Sequence, residues 1–429
     1  MSEGPQLWIV GSGPAGLGLA EACCRRGIRV GLLAPEPEAP WPANYGMWLD
    51  DAEALGVAGW LSQRWCDTRV DLSSGPLRLG RGYGLLDDRR LQTDWLESCR
   101  RRGARIHVGT LERLEHHDEG VRLYCRDGTV LEGALVVDAG GHGSTFVARE
   151  AGPEPGYQVA WGELWACEAD LPEPGSETMS FMDWRDPHDD AGDRAGDELP
   201  PTFLYAMRLA NDRVFLEETV LVTKLKAEGR PQDLFAPLRR RLHRRLEAQG
   251  LRARLLGADA LEVERCVIPM GGPLPRGDQR TLAFGGAAAM VHPASGYMLT
   301  VALQRREAVA EAIARELEAW VGPGAPSRRI WTAIWPDERV RAWRLYTFGM
   351  QVIAGLDRAG IETFFSEFFA LPPERWRGFL SASAPTPELM ATMSRYFARA
   401  PWAIKRDLAA ALLGPEGLHM GRGFVGLSR

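Results

Sequence analysis

The chain predicts an α/β fold in which a Rossmann-like dinucleotide-binding domain carries an inserted antiparallel β domain and a helical C-terminal part. Three stretches support this. Leu7–Val10 is a short apolar run that passes through Gly11-Ser12-Gly13-Pro14-Ala15-Gly16 into a helical segment, Leu17–Arg26, and a second apolar run, Ile28–Leu33. Strand, glycine turn, helix, strand is the context a dinucleotide fingerprint requires. Gln158–Leu171 and Thr202–Leu225 alternate like antiparallel strands. From about Ser327 the pattern becomes helical and rich in aromatics.

The glycine turn has a physical logic. Gly11 and Gly13 let the backbone approach a pyrophosphate, Gly16 lets helix and strand pack closely, and the helix N-terminus presents free N–H groups to phosphate, with Pro14 and Ala15 in the turn beside it. A further strand, Ala134–Val137, ends in Asp138-Ala139-Gly140-Gly141, and another, Thr281–Phe284, ends in Gly285-Gly286. Three strand-to-glycine junctions so far apart suit a long cofactor held along its length by one discontinuous domain. FAD fits that better than NAD, which needs only the first junction. Asp138, Gly140, Gly285 and Gly286 therefore join the candidate cofactor residues. An acid is expected about 20 residues past the glycines to bind the adenosine ribose. Ala34 stands there, and Glu36 is the available substitute. The expected boundaries are 1–155 with 265–325 for the FAD-binding domain, 156–264 for the substrate domain and 326–429 for the helical region.

Between the last two junctions, VFLEETVLVT (Val214–Thr223) places Glu217 and Glu218 in an apolar strand. Either this is an edge strand whose acids reach solvent or pair with Arg208 and Arg213, or burial raises a carboxyl pKa so that it holds a proton at neutral pH. Alternate side chains of a strand face opposite ways, so Phe215, Glu217 and Thr219 share one face and Val214, Leu216, Glu218, Val220 and Val222 the other. Pattern alone makes Glu218 the odd acid on an apolar face. Asp183–Glu198 reads as a surface loop without calcium-site spacing. Leu234–Leu256 is helical and contains RRRLHRRL, either a solvated face or a contact for anionic lipid headgroups.

A net charge of -6 over 429 residues argues against a general nucleic-acid binder. Seven scattered cysteines, without paired metal spacing, read as reduced thiols of a cytoplasmic protein and leave no metal site expected. MSEGPQ runs straight into the first strand, so no signal peptide is expected. Thr281–Gln304 is free of Asp, Glu, Lys and Arg, but Gly285, Gly286, Pro293 and Gly296 make it a buried loop and helix start rather than a membrane span. Aromatics such as Trp331, Trp335, Trp343, Phe348, Phe364 and Phe365 suit either a core or a large apolar ligand.

Taken together, GSGPAGLGLA, WPANYGMW, PTFLYAM with RVFLEET, CVIPMGGPLP, FGGAAAMVHPASGYM, and FGMQVIAGLD with RWRGFL resemble the flavin-dependent lycopene cyclases, the β-type of plants and bacteria. The motifs come in family order from residue 7 to about 400. The resemblance implies a hydroxylase-type flavoprotein fold and a redox-neutral reaction on lycopene or another ψ-end carotenoid. An acid protonates the terminal double bond, the cation closes the ring, and loss of a proton leaves a β-ionone ring. It also implies reduced FAD, NADPH or NADH as electron donor, and peripheral association with a membrane surface. By resemblance the acid is Glu217 rather than Glu218, because related cyclases with an E-D-T variant keep the first glutamate. His292 would lie near the isoalloxazine, with Met290, Gly296, Tyr297 and Met298 of the same motif on the cofactor. Asp183 and Arg185 match a family segment, and with Tyr45, Trp48 and Phe348 they complete the expected substrate site. The competing reading is an FAD-dependent monooxygenase or dehydrogenase acting on a hydrophobic isoprenoid.

Overall fold

A computed structural model describes residues 4–168, 177–185, 199–210, 212–225, 229–319 and 328–413. Most of the acidic stretch that follows Asp183 lies outside them. Five strands form a parallel sheet in the order Leu282–Ala283, Leu135–Asp138, Leu7–Val10, Val30–Ala34, Arg105–Val108. Leu7–Val10 and Val30–Ala34 are buried at every position, as expected of central strands covered on both faces. The helix Pro14–Arg25 begins three residues earlier than the apolar period suggests, because Pro14 occupies the first helical turn, where a missing N–H costs nothing. It packs with the helix Leu299–Glu318 into one core on this sheet.

The three glycine junctions meet at one end of the sheet. A Cβ on Gly11 would come within 2.5 Å of the Ala139 carbonyl oxygen, and one on Gly16 within 2.2 Å of the Gly11 oxygen. Gly285 has φ +61° and lies against Ala15, where a Cβ would approach to 2.4 Å. Gly13 differs: a Cβ there would meet nothing within 4 Å, so open space lies before the start of the Pro14–Arg25 helix.

The second sheet has eight strands. At its centre Gly156–Cys167 pairs with Arg213–Thr223 on one edge and with Glu262–Met270 on the other, all antiparallel. Thr202–Ala210 continues the sheet beyond Arg213–Thr223. Arg213–Thr223 is therefore an interior strand, which removes the edge-strand reading of its glutamates. One face packs on the C-terminal helices through Phe203, Met207 and Phe215 against Phe365 and Phe368. The other packs on the helix Phe235–Ala248 through Leu238, Leu242 and Leu246. Trp331 and Trp335 instead join the core on the parallel sheet, where their indole N–H groups donate to the carbonyls of Gln279 and Ala288. Among the described residues, no helix is long and apolar enough to cross a membrane.

Gly16→Ala, facing backbone that cannot yield, is expected to cost about 2 kcal/mol or more in urea unfolding. Gly13→Ala is expected to stay within about 0.5 kcal/mol of the parent, the two together reporting where the junction is closed and where it is open.

Candidate active site

A cavity of about 360 Å³ opens between the antiparallel sheet, the Pro42–Gly46 segment and the Ala294–Thr300 segment. Strand register builds its floor. Tyr205 lies opposite Glu217, Glu217 opposite Gly162, and Gly162 opposite Glu264 on the far edge. Directly opposed residues share a face, so Tyr205, Glu217 and Glu264 all look into the cavity, together with Phe215, Phe203 and Cys266. Tyr83 and Tyr297 complete an aromatic cluster, with the Tyr297 hydroxyl donating to the Tyr83 hydroxyl at 3.2 Å.

Burial sets the ionisation of this wall. Desolvation raises the Glu217 carboxyl from an ordinary 4.5 to about 7, although the Thr219 hydroxyl donates to Oε1 at 2.7 Å and pulls the other way. Glu264 is pushed up to about 8, first by burial and then by the Glu217 charge. Asn44 opposes this by donating to its Oε2 from the backbone N–H at 3.3 Å and from Nδ2 at 2.6 Å. Cys266 is held as a thiol, far above its ordinary range, by burial and then by both glutamates.

Glu218 faces the opposite way. It has no accessible surface, and Arg245, from the helix Phe235–Ala248, binds both its oxygens at 2.8 and 2.9 Å. The Thr202 hydroxyl donates to the same carboxylate. This corrects the pattern argument for Glu218: an acid on an apolar strand face had an unseen partner on a helix 27 residues away. It also gives the arginine-dense helix a definite job, since its His243 reaches Glu163 at 2.9 Å, a second buried carboxylate on that face.

His292 is likewise corrected. It is buried, its Nε2 donates to the Phe379 carbonyl at 3.0 Å, and its Nδ1 accepts from the N–H groups of Ala294 and Ser295 at 3.1 Å. Both ring nitrogens are used, and desolvation lowers its pKa to about 3, so it stays neutral and shapes the turn that brings Gly296 and Tyr297 to the cavity. Asp183 binds Arg185 at 2.8 and 2.9 Å and lies outside the cavity lining. Trp48 is buried beneath the Arg81 guanidinium, and Phe348 lines a separate apolar groove among the C-terminal helices. Tyr45, Gly296, Tyr297 and Met298 do line the cavity, whereas Met290 is buried in the core on the parallel sheet and lines a different cavity beside His292 and Trp335. Asp138 holds its own junction by accepting from Gly140 N–H at 2.9 Å and from the Ser144 hydroxyl. Glu36 lies exposed just beyond the end of the Val30–Ala34 strand.

Sequence reasoning missed Glu264. Its signal was alternation over Glu262–Met270, where Glu264, Cys266 and Ile268 share a face, but without the pairing of distant strands nothing linked that face to Glu217.

A sequence profile described as "Lycopene cyclase protein" matches residues 6–406. The lycopene beta cyclase of Synechococcus elongatus is 35% identical over 417 residues, 96% of each chain. That of Arabidopsis thaliana is 36% identical, over 91% of this chain and 77% of its own. The neoxanthin synthase of Solanum lycopersicum is 37% identical, over 89% and 75%. Among solved structures, a geranylgeranyl bacteriochlorophyll reductase-like protein from Thermoplasma acidophilum superposes with a TM-score of 0.67 at 11% identity, covering 95% of this chain and 99% of its own. Aklavinone-11 hydroxylase, solved with FAD and aklavinone, gives 0.59 at 18% identity, over 84% and 71%. These likenesses show the hydroxylase-type flavoprotein fold.

Arg245→Ala, which leaves the buried Glu218 with only the Thr202 hydroxyl and the more distant Arg241 at 3.7 Å, is expected to cost about 3 kcal/mol in denaturant unfolding. The cavity acids predict a pH signature of opposite origin. Between pH 4.5 and about 7 the folded state keeps a proton at Glu217 that the unfolded chain releases, so stability falls as pH rises through that window. Glu217→Gln should therefore be more stable than the parent at pH 8, by at most ~3 kcal/mol, with the difference vanishing near pH 4.

Proposed function

The chain belongs to the lycopene cyclase family, and from that premise we propose that it closes the ψ-ends of lycopene into β-rings, with Glu217 as the proton donor. The observation that carries the reading is a carboxyl held protonated near neutral pH on the wall of an aromatic cavity. Protonating an alkene requires an acid that has not already lost its proton to water, and desolvation supplies that condition.

The residues at the glycine junctions fit FAD. Gly11, Gly13 and Ala15 would hold the pyrophosphate at the Pro14–Arg25 helix start, where the open space before Gly13 and the unpaired N–H groups of the first turn suit a phosphate. Asp138, Gly140, Gly285, Gly286 and Met298 would follow the cofactor toward the cavity. When bound and reduced, the flavin supplies an electron-rich ring beside the developing positive charge.

The remaining chemistry belongs to the chain. Glu217 gives its proton to the terminal double bond, and Thr219 stays hydrogen-bonded to the carboxylate that forms. Tyr83, Tyr205, Phe203, Phe215 and Tyr297 line the cavity, and a ring face turned to the cation is worth about 2 kcal/mol when water is excluded. A thiolate in this cavity would trap the cation, and Cys266 is kept from becoming one.

The same reading extends to NADPH or NADH as the source of electrons and to a peripheral membrane position. A hydrocarbon substrate supports the latter, as do the exposed side chains of Met390, Phe397 and Trp402 beside the apolar groove containing Phe348. Tyr45 is retained as a cavity residue, whereas Asp183, Arg185 and Trp48 are assigned to support of the fold.

With lycopene, FAD and dithionite or NADPH, the expected product is a ring-closed carotenoid of unchanged mass, identified by chromatography and mass spectrometry. Because relatives of equal similarity carry different names, product identity rather than substrate loss decides the matter. A product heavier by one oxygen would favour a monooxygenase. Glu217→Gln should lower cyclisation by about 10³-fold while leaving FAD bound.

A further inference from the structure

We propose that Glu264 is the base of this reaction, the carboxylate that receives the ring proton across the cavity from Glu217, which gave the first one. The inference rests on the cyclase reading above and deepens it.

The sheet places the two acids for such a division of labour. Glu217 and Glu264 occupy the same register row on either side of Gly162. Two strand spacings separate their Cα atoms by roughly 10 Å, and the intervening residue has no side chain. A Cβ at Gly162 would run into the Phe215 ring at 2.4 Å, so the space over Gly162 is taken by that ring, which glycine alone admits. A six-membered ring can lie against the Phe215 ring, with a carboxyl at each side.

Hydrogen-bond donors distinguish the two. Glu264 takes two N–H donors from Asn44 on Oε2, and its Oε1 accepts no hydrogen bond among the described residues. Glu217 takes one hydroxyl, from Thr219, on Oε1, and its Oε2 accepts none among them. Two N–H donors on one carboxyl favour its ionised form, whereas a hydroxyl can turn to accept from a protonated acid. Each carboxylate opposes ionisation of the other, so the two titrate as one pair that shares a single proton near neutrality, and the donors decide which of them gives it up.

The protons and electrons balance. The Glu217 O–H bond breaks and its proton binds the terminal alkene carbon. A π pair of the polyene forms the ring C–C bond. The C–H bond at the ring carbon joined to the polyene then breaks, its electrons become the ring double bond, and the proton ends on Glu264. Transfer back to Glu217 resets the pair, with no oxidant or reductant consumed.

The experiment compares the holoenzyme with Glu264→Gln, Glu264→Asp and Asn44→Ala, each checked for folding by circular dichroism and for flavin by absorbance. With lycopene as substrate, Glu264→Gln is expected to lose about 10²-fold in kcat for β-ring product. It should still consume lycopene, diverting the cation to ring isomers with a displaced double bond or to water-trapped alcohols. Its pH–rate profile should lose the acidic limb, which reports ionisation of the base, and keep the basic limb. Glu264→Asp should restore part of the β-ring product, and Asn44→Ala should move the acidic limb to higher pH. Parent rate and products in Glu264→Gln, or an unmoved acidic limb in Asn44→Ala, would overturn the inference. So would a complete block identical to that of Glu217→Gln, which would make Glu264 part of the acid. If the parent enzyme forms no ring from lycopene, it is the cyclase reading itself that falls.

Discussion

A carboxylate with no accessible surface must be paired, and the pairing of Glu218 with Arg245 fixes the register on which the site depends. Side chains on a strand alternate, so holding Glu218 against the Phe235–Ala248 helix obliges Glu217 to point into the cavity. A slip of one residue would exchange the two acids and also turn Phe215 away from the aromatic cluster. The ion pair is thus weak evidence of stability in itself, but a strong determinant of which face each acid occupies. The second carboxylate on that face, Glu163, is treated alike, with His243 and the indoles of Trp161 and Trp165 all donating to it.

The two faces of one sheet therefore run opposite electrostatic programmes. Behind it, buried carboxylates are partnered by arginine, histidine, threonine and indole donors. In front, carboxyls are deprived of cationic partners, so desolvation dominates and raises them. The difference arises from the helix laid on each side: one brings arginines and a histidine, whereas the C-terminal helices bring phenylalanines. An acid able to protonate a hydrocarbon needs the second environment, and the first fixes which face of the strand that acid occupies.

Much of the dinucleotide-binding part was legible because its signals are local. A glycine that must let another backbone within 3 Å can be read from its flanking strand and helix, as at Gly11 and Gly16. Alternation likewise separates Glu217 from Glu218, since adjacent residues of a strand face opposite ways. His292 misled because a motif shows proximity but not hydrogen bonding: both of its nitrogens are spent on the Phe379 carbonyl and on its own turn. The arginine run misled for a related reason, since a helix that looks solvated hides a buried member, Arg245, whose partner lies in another element.

By itself the sequence determined the glycine junctions, the alternation of the acid-bearing strand and, through its motifs, the family. These depend on residues within a few positions of one another, where backbone geometry leaves little choice. Only the tertiary structure decided that Arg245 neutralises Glu218, that Asn44 holds Glu264, and that Glu264 faces Glu217 across Gly162. Each of those joins segments tens or hundreds of residues apart, and strand pairing at such separations is set by the packing of whole faces, which no local pattern encodes.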